Sequence, residues 1–180
     1  PLSDTLLEVS AVVELFGSAA TLHNANSSRV GRFLLLDFAV SSGAKPSATV
    51  HGARLATYLL ERSRVVAVAP GERGFHVFYG LLSSRLATTI GLGAIGTSPA
   101  AYGYLRPGKG SISGRDDAAD FAGVVAALER VGMDAGGVAA VGQLLASVLV
   151  LGNLQFEQDD NAVSSFVPGS ATDAALAQLA

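Results

Sequence analysis

Cysteine is absent from the 180 residues. That excludes a disulfide scaffold, thiolate zinc sites and a Cys nucleophile, and it fits a reducing compartment. Histidine is nearly as scarce: His23, His51 and His76 are too scattered to mark a metal cluster. Charge is short as well. Charged residues make up 15% of the chain, against about 25% in ordinary soluble domains. The net charge of −3, the isoelectric point near 5.5 and the lack of a basic stripe argue against nucleic acid as a partner. No basic segment followed by an apolar one marks a signal peptide. The first residue is Pro1 rather than Met, and the chain is expected to continue upstream.

What is present is apolar material and glycine. Hydrophobic residues reach 49% and Gly numbers 21, so a core is expected and disorder is not. The length suits one domain or a piece of a larger one. Residues 135–156 carry no charge, over about the length that spans a bilayer. Gly136, Gly137, Gly142 and Gly152 interrupt the run, and Gln143, Ser147, Asn153 and Gln155 add polar groups. No Lys or Arg flanks it, so a buried helix is expected and a membrane span is not.

Periodicity orders the rest. Leu6, Leu7, Val9, Val12, Val13 and Phe16 give one apolar face to a helix over residues 2–16, with Asp4 in its first turn and Gly17 as its stop. Residues 21–31 read as a polar loop. A buried strand is expected over residues 32–40, a loop over 41–52 and a second strand over 53–60, the two strands pairing as an antiparallel hairpin. Phe75, Phe78, Tyr79 and Leu82 suggest a helix over residues 72–86. Residues 88–113 read as surface loop. Asp116 or Asp117 is a cap for a helix to about Met133, with a stripe of Phe121, Val124, Val125, Leu128 and Val131. A second helix follows over 134–151, then a short strand over 154–156, a polar loop over 158–170 and an Ala-rich terminal helix. No internal repeat is visible.

Two glycine patterns are decoys. Gly91, Gly93 and Gly96 match the dinucleotide spacing G-x-G-x-x-G, with Asp116 about 20 residues on. The pattern must follow a strand and open a helix; here it follows a helix, and Pro99 blocks the next one. The stretch from Gly103 to Lys109 approaches a phosphate-binding loop, but Gly110 stands where the Mg²⁺-binding hydroxyl is needed.

The loop at residues 23–33 is different. His23, Asn24, Asn26, Ser27, Ser28 and Arg29 gather amides and hydroxyls just ahead of a strand. Hydroxyls and backbone N–H groups are what a loop uses to grip phosphate oxygens and a hard Mg²⁺ ion. NANSSRVGRF at 24–33 resembles switch I of the myosin motor domain, N-x-N-S-S-R-F-G-K-F. Four further blocks agree in order: VELFGSA at 13–19 with L-E-A-F-G-N-A, YLLERSRVV at 58–66 with Y-L-L-E-K-S-R-V-V, GERGFHVFYGLL at 71–82 with G-E-R-N-F-H-I-F-Y-Q-L-L, and LGNLQF at 151–156 with L-G-N-I-x-F.

The resemblance implies an α/β architecture, a partial P-loop-NTPase-like myosin head in which a β-hairpin of the central sheet is surrounded by helices. It divides the chain into residues 1–31 (helix and switch I), 32–66 (transducer hairpin) and 67–180 (helices and loops of the upper fifty-kilodalton subdomain). By matching position it implies that Asn24 contacts nucleotide phosphates, with Asn26 a second contact. Ser27 would meet the γ-phosphate and help place the lytic water, and Ser28 would ligate Mg²⁺. Arg29 would pair with a switch II Glu that these residues do not contain. The cofactors implied are ATP and Mg²⁺. The partners implied are the actin filament and the rest of the heavy chain, in the cytoplasmic cytoskeleton, and residues 158–170 would lie near a loop facing actin.

The departures are Val30 for Phe, Gly74 and Gly80 for larger polar residues, and Gly136, Gly137 and Gly142 inside a helix. They read as lowered stability or relaxed constraint. His76 and Tyr79 read as core residues. A complete Walker A loop and switch II are missing from the 180 residues. The segment alone is therefore expected not to hydrolyse ATP, and its strand edges are expected to be exposed. A non-catalytic, myosin-like interaction domain is the rival expectation.

Overall fold

The structure, a computed structural model, describes residues 2–42, 47–158 and 164–167 and the single positions 169, 173 and 177. Helix α1 (Leu2–Gly17) leads into two two-residue strands, β1 (Ser18–Ala19) and β2 (Ser27–Ser28), then into the long pair β3 (Gly31–Ser41) and β4 (Ser47–Tyr58). Short α2 (Ser63–Val66) precedes α3 (His76–Ser83) and α4 (Arg85–Thr89). Helices α5 (Asp117–Arg130) and α6 (Ala135–Leu151) and the strands β5 (Phe156–Gln158) and β6 (Ser164–Phe166) complete the order. The architecture is α/β: among the described residues, one long antiparallel hairpin, two short antiparallel strand pairs and a helical body.

The body is built around α3. Every residue from His76 to Leu82 is buried, and α1, α4, α5 and α6 pack about it. A helix apolar on all sides belongs in a core, so its packing differs from the one-sided stripe that the spacing of Phe75, Phe78, Tyr79 and Leu82 suggests. The core joins Leu15, Phe75, Phe78, Leu81, Phe121, Val124, Leu149 and Val150. Each large side chain so buried contributes roughly 1.5–3 kcal/mol before entropy is counted.

Helix ends follow local chemistry. Asp116 caps α5 by accepting from the Ala119 amide at 3.0 Å, and Asp134 caps α6 by accepting from Gly137 at 2.7 Å. Helix α5 stops at Arg130, three residues short of the expected end. Gly132 takes a left-handed conformation (φ +100°), its amide donating to Glu129 and that of Met133 to Leu128. Val131, placed on the stripe by spacing, lies past that stop and is exposed.

The expected helix over 72–86 is shorter and broken. Phe75 is held in an antiparallel bridge with Ala19, so α3 begins at His76. Ser84 is extended, and its hydroxyl donates to the Leu81 carbonyl at 2.7 Å, which competes with helical continuation and splits off α4. Residues 88–113 are not a plain surface loop. They form three 3₁₀ turns that bury Leu92, Tyr102 and Leu105. Helix α4, not a strand, immediately precedes Gly91, and Gly91 and Gly96 serve these turns with positive φ.

The hairpin forms as expected, but β4 starts at Ser47, not residue 53. His51 is accommodated as a bulge where the register passes from Asp37↔Gly52 to Phe38↔Val50, so pairing runs through Gly52. The expected burial of residues 32–40 is not observed. Phe33, Leu34, Leu35, Leu36, Phe38 and Val40 are all exposed, because among the described residues β3 and β4 pair only with each other.

At the other end the short strand lies at Phe156–Gln158, two residues beyond the expected start. It pairs with Ser164–Phe166, inside the expected loop. Residues 159–163, 168 and 170 of that loop lie outside the described residues, as does the terminal helix apart from Asp173 and Ala177, both helical. Among the described residues no helix is long and apolar enough to cross a membrane. Helix α6 turns Val138, Ala146, Leu149 and Val150 into the core.

Candidate functional site

The polar loop is anchored at both ends. Ser18 pairs with Ser28 and Ala19 with Ser27, and the Arg29 amide donates to the Gly17 carbonyl at 2.7 Å. This pins residues 27–29 against the end of α1, so the stretch that reads as a polar loop contains a short strand, paired with one that precedes it. Its tip is folded on itself. The Thr21 amide donates to the Asn24 carbonyl at 2.8 Å, and the Asn24 side-chain oxygen accepts from the Asn26 amide at 2.8 Å. That last contact is an Asx turn, the use to which loops commonly put Asn. The Asn26 side-chain NH₂ donates to Glu14 on α1 at 2.8 Å.

Ser28 and Arg29 come together at a cavity of about 340 Å³ lined also by Val30, Gly31, Leu59 and Glu61. The Ser28 hydroxyl donates to the Val30 carbonyl at 3.1 Å, leaving its lone pairs as acceptors, and the residue is exposed. Ser27 accepts from Arg29 Nη1 at 3.2 Å. Asn24 and Asn26 do not line this cavity; both are exposed at the loop tip. The structure thus brings Ser27, Ser28 and Arg29 together and sets the two asparagines apart.

The partner of Arg29 is a residue that motif reading passes over. Arg29 Nε donates to Glu61 at 2.5 Å, and the Glu61 amide donates to the Arg29 carbonyl at 3.0 Å. Leu59 makes this possible by taking a left-handed conformation (φ 54°), uncommon for a non-glycine residue, just after β4. Arg64, one turn on, donates to Glu61 at 2.7 Å and to Glu72 at 2.9 Å. Hydrogen bonds from Arg64 and Arg29 hold the Glu61 carboxyl below the usual carboxylate range, against a smaller opposing effect of burial. Glu61 raises the Arg64 value in return. The signal for this cluster is the E-x-x-R spacing within residues 61–64, which places the two side chains on one face of a turn.

Two other polar groups lie in the core. Arg73, fully buried, pairs with Asp117 at 2.5 Å and stacks over the Tyr79 ring at 3.7 Å. His76 is fully buried with no hydrogen-bond partner on either ring nitrogen. Burial first, then the charges of Arg115 and Arg73, push it down to about 3, so it is neutral at physiological pH. Neither residue reaches the cavity, in keeping with core roles for His76 and Tyr79.

A metal ion would find few ligands here. Among the described residues no group of three or more His, Cys, Asp or Glu could hold one. Of the loop's hydroxyls, that of Ser28 belongs to a residue lining the cavity, and a single hard oxygen there would suit an ion that keeps several waters and takes other ligands from substrate phosphates.

The family model described as myosin head (motor domain) matches residues 1–180. Unconventional myosin heavy chain 6 of Caenorhabditis elegans is 38% identical over 157 residues, covering 87% of this chain and 7% of that protein. Myosin IB heavy chain of Dictyostelium discoideum is 34% identical over 175 residues, covering 97% and 15%. Unconventional myosin-Ib of Rattus norvegicus is 36% identical over 156 residues, covering 87% and 13%. The chain therefore spans about a seventh or less of the length of these curated relatives.

Proposed function

This chain belongs to the myosin head (motor domain) family, and from that premise we propose that it supplies the switch I segment of an actin-based motor that couples Mg²⁺-ATP hydrolysis to force. Residues 1–31 carry the helix and switch I, 32–66 the transducer hairpin, and 67–180 the upper-subdomain helices that wall the actin cleft. The motor works with the rest of its heavy chain on actin filaments in the cytoplasmic cytoskeleton. The observation that supports this reading best is that Ser28 and Arg29 border one cavity at the junction of the polar loop and the hairpin. A ligand-sensing loop that continues directly into a long strand is able to pass a change at the phosphate into the sheet.

The roles follow from donor type. The Ser28 hydroxyl would be a Mg²⁺ ligand, and Ser27 a contact to the γ-phosphate. Asn24 and Asn26 would meet the nucleotide phosphates, which requires the loop tip to turn towards the cavity from its present Asx-turn arrangement. Bound Mg²⁺ supplies charge stabilisation of the phosphoryl oxygens. Arg29 offers a fork of N–H donors suited to oxyanions and carboxylates.

The test is Ser28→Ala in the full heavy chain that carries this segment. Mg²⁺-dependent ATP turnover should fall by about tenfold or more, with thermal stability within about 0.5 kcal/mol of the parent because the residue is exposed. Unchanged turnover would remove Ser28 from the site.

A further inference from the structure

A charged side chain on α1 reaches the tip of the polar loop. Glu14 Oε1 accepts from the Asn26 side-chain NH₂ at 2.8 Å. Glu14 stands on a firm base, because its neighbour Leu15 lies in the core and Phe16 packs against it. Asn26 hands the constraint on: its backbone amide donates to Asn24 Oδ1 at 2.8 Å. Thr21 grips Asn24 from the other side. The Thr21 hydroxyl accepts from the Asn24 amide at 3.1 Å, and the Thr21 amide donates to the Asn24 carbonyl at 2.8 Å. A chain of contacts therefore runs from α1 through Asn26 to Asn24.

The groups left over by these contacts are of one kind. A side-chain amide has an accepting oxygen and a donating NH₂, and only the NH₂ suits a phosphate. The Asn24 oxygen is occupied by the Asn26 amide, whereas the Asn24 NH₂ makes no hydrogen bond among the described residues. On Asn26 one N–H goes to Glu14 and the second remains. An exposed asparagine free to turn over would present either end; here both are held with donors to spare. Glu14 itself does not line the cavity, so its influence there passes through Asn26.

We propose that Glu14 is a positioning residue for the nucleotide: through Asn26 it braces the loop tip so that the NH₂ groups of Asn24 and Asn26, not their carbonyl oxygens, are presented to the phosphates. The proposal rests on the nucleotide-site reading above and adds to it the brace behind the two asparagines. The long, flexible Glu14 side chain lets the tip turn towards the cavity as one piece, with its amides already aligned. Glu14 acts by accepting a hydrogen bond, so a neutral acceptor of the same length replaces it and a methyl group does not.

The experiment uses the full heavy chain that carries this segment. It measures equilibrium affinity for Mg²⁺-bound N-methylanthraniloyl-AMP-PNP, a triphosphate analogue that resists hydrolysis, and the thermal midpoint without nucleotide. Glu14→Ala should weaken binding about fivefold, in line with one hydrogen bond. Glu14→Gln keeps the acceptor oxygen and should hold affinity within about twofold of the parent. In an Asn26→Ala background Glu14→Ala should change nothing further, because the brace is already gone. The midpoint of Glu14→Ala should stay at that of the parent, since both partners are exposed. Unchanged affinity in Glu14→Ala would overturn the proposal, as would failure of Glu14→Gln to hold it or an equal loss in the Asn26→Ala background. A midpoint lowered by both Glu14 variants would mark an effect on the helix and overturn it too; in each case the nucleotide-site reading survives. Failure of the parent chain to bind the nucleotide would overturn both.

Discussion

His76 is the residue whose chemistry is most altered by the fold. It lies in the core without a hydrogen-bond partner, and its value is lowered from 6.5 to about 3. The sign of the linkage is set by that lowering. Between about 6.5 and 3 the unfolded chain binds a proton at this position that the folded chain does not, so stability falls as the pH drops below about 6.5. The slope reaches at most about 1.4 kcal/mol per pH unit. Glu61 has a separate window. Its folded value lies below 4.5, so its contribution is present above 4.5 and is lost only as the pH falls through the lower folded value. Urea unfolding between pH 7 and 5 should show a declining midpoint in the parent and a flatter one in His76→Gln. Equal declines would show that His76 is not the group responsible.

At the scale of elements, glycine in a helix has two opposite meanings here. A side chain at Gly80 on α3 would meet the Phe121 Cβ at 2.9 Å and the Asp117 carbonyl at 3.2 Å, so α3 and α5 approach closely because this residue has no Cβ. The loosening expected from a glycine at this position is not what the packing indicates. At Gly123 on α5 an added Cβ meets nothing within 4 Å. Gly80→Ala should therefore lower the urea midpoint by about 1–3 kcal/mol of stability, whereas Gly123→Ala should raise it by about 0.5–1 kcal/mol. Shifts of the same sign at both positions would contradict the packing.

Those contrasts mark what the sequence made legible. The helix at Asp117–Arg130 was readable because cap and apolar period agree within a few residues of chain, with Asp116 as the cap, whereas Leu2–Gly17 was readable from its apolar spacing and Ala135–Leu151 from its charge-free run. The break at Ser84, the bulge at His51 and the buried turns around Leu92 and Tyr102 depend on hydrogen bonds and packing from distant elements, which periodicity does not register. The site divides in the same way. Ser27, Ser28 and Arg29 were visible as a cluster in one loop. Glu61 was hidden because 32 residues separate it from Arg29, and only the hairpin and the turn at Leu59 bring them together.

In the whole molecule, the well-packed body and the bare hairpin stand in contrast. The body closes its core around α3, while both faces of β3 carry exposed leucines and phenylalanines. A ribbon of this kind with open edges is stable only against further structure, which suits a segment that spans about a seventh or less of its relatives. Hairpin and loop are one continuous piece of chain: Ser28 and Arg29 end the loop, and Gly31 begins β3. That continuity is what would let occupancy at the loop bear on the sheet. The claim stands or falls on whether the loop senses the terminal phosphate. The most direct measurement compares the affinities of the full chain and its Ser27→Ala variant for Mg²⁺-ATPγS and Mg²⁺-ADP. The account predicts a loss of about ten- to a hundredfold for the triphosphate, the worth of a hydrogen bond to a charged group, with the diphosphate unchanged. Equal losses for both nucleotides, or none for either, would contradict it.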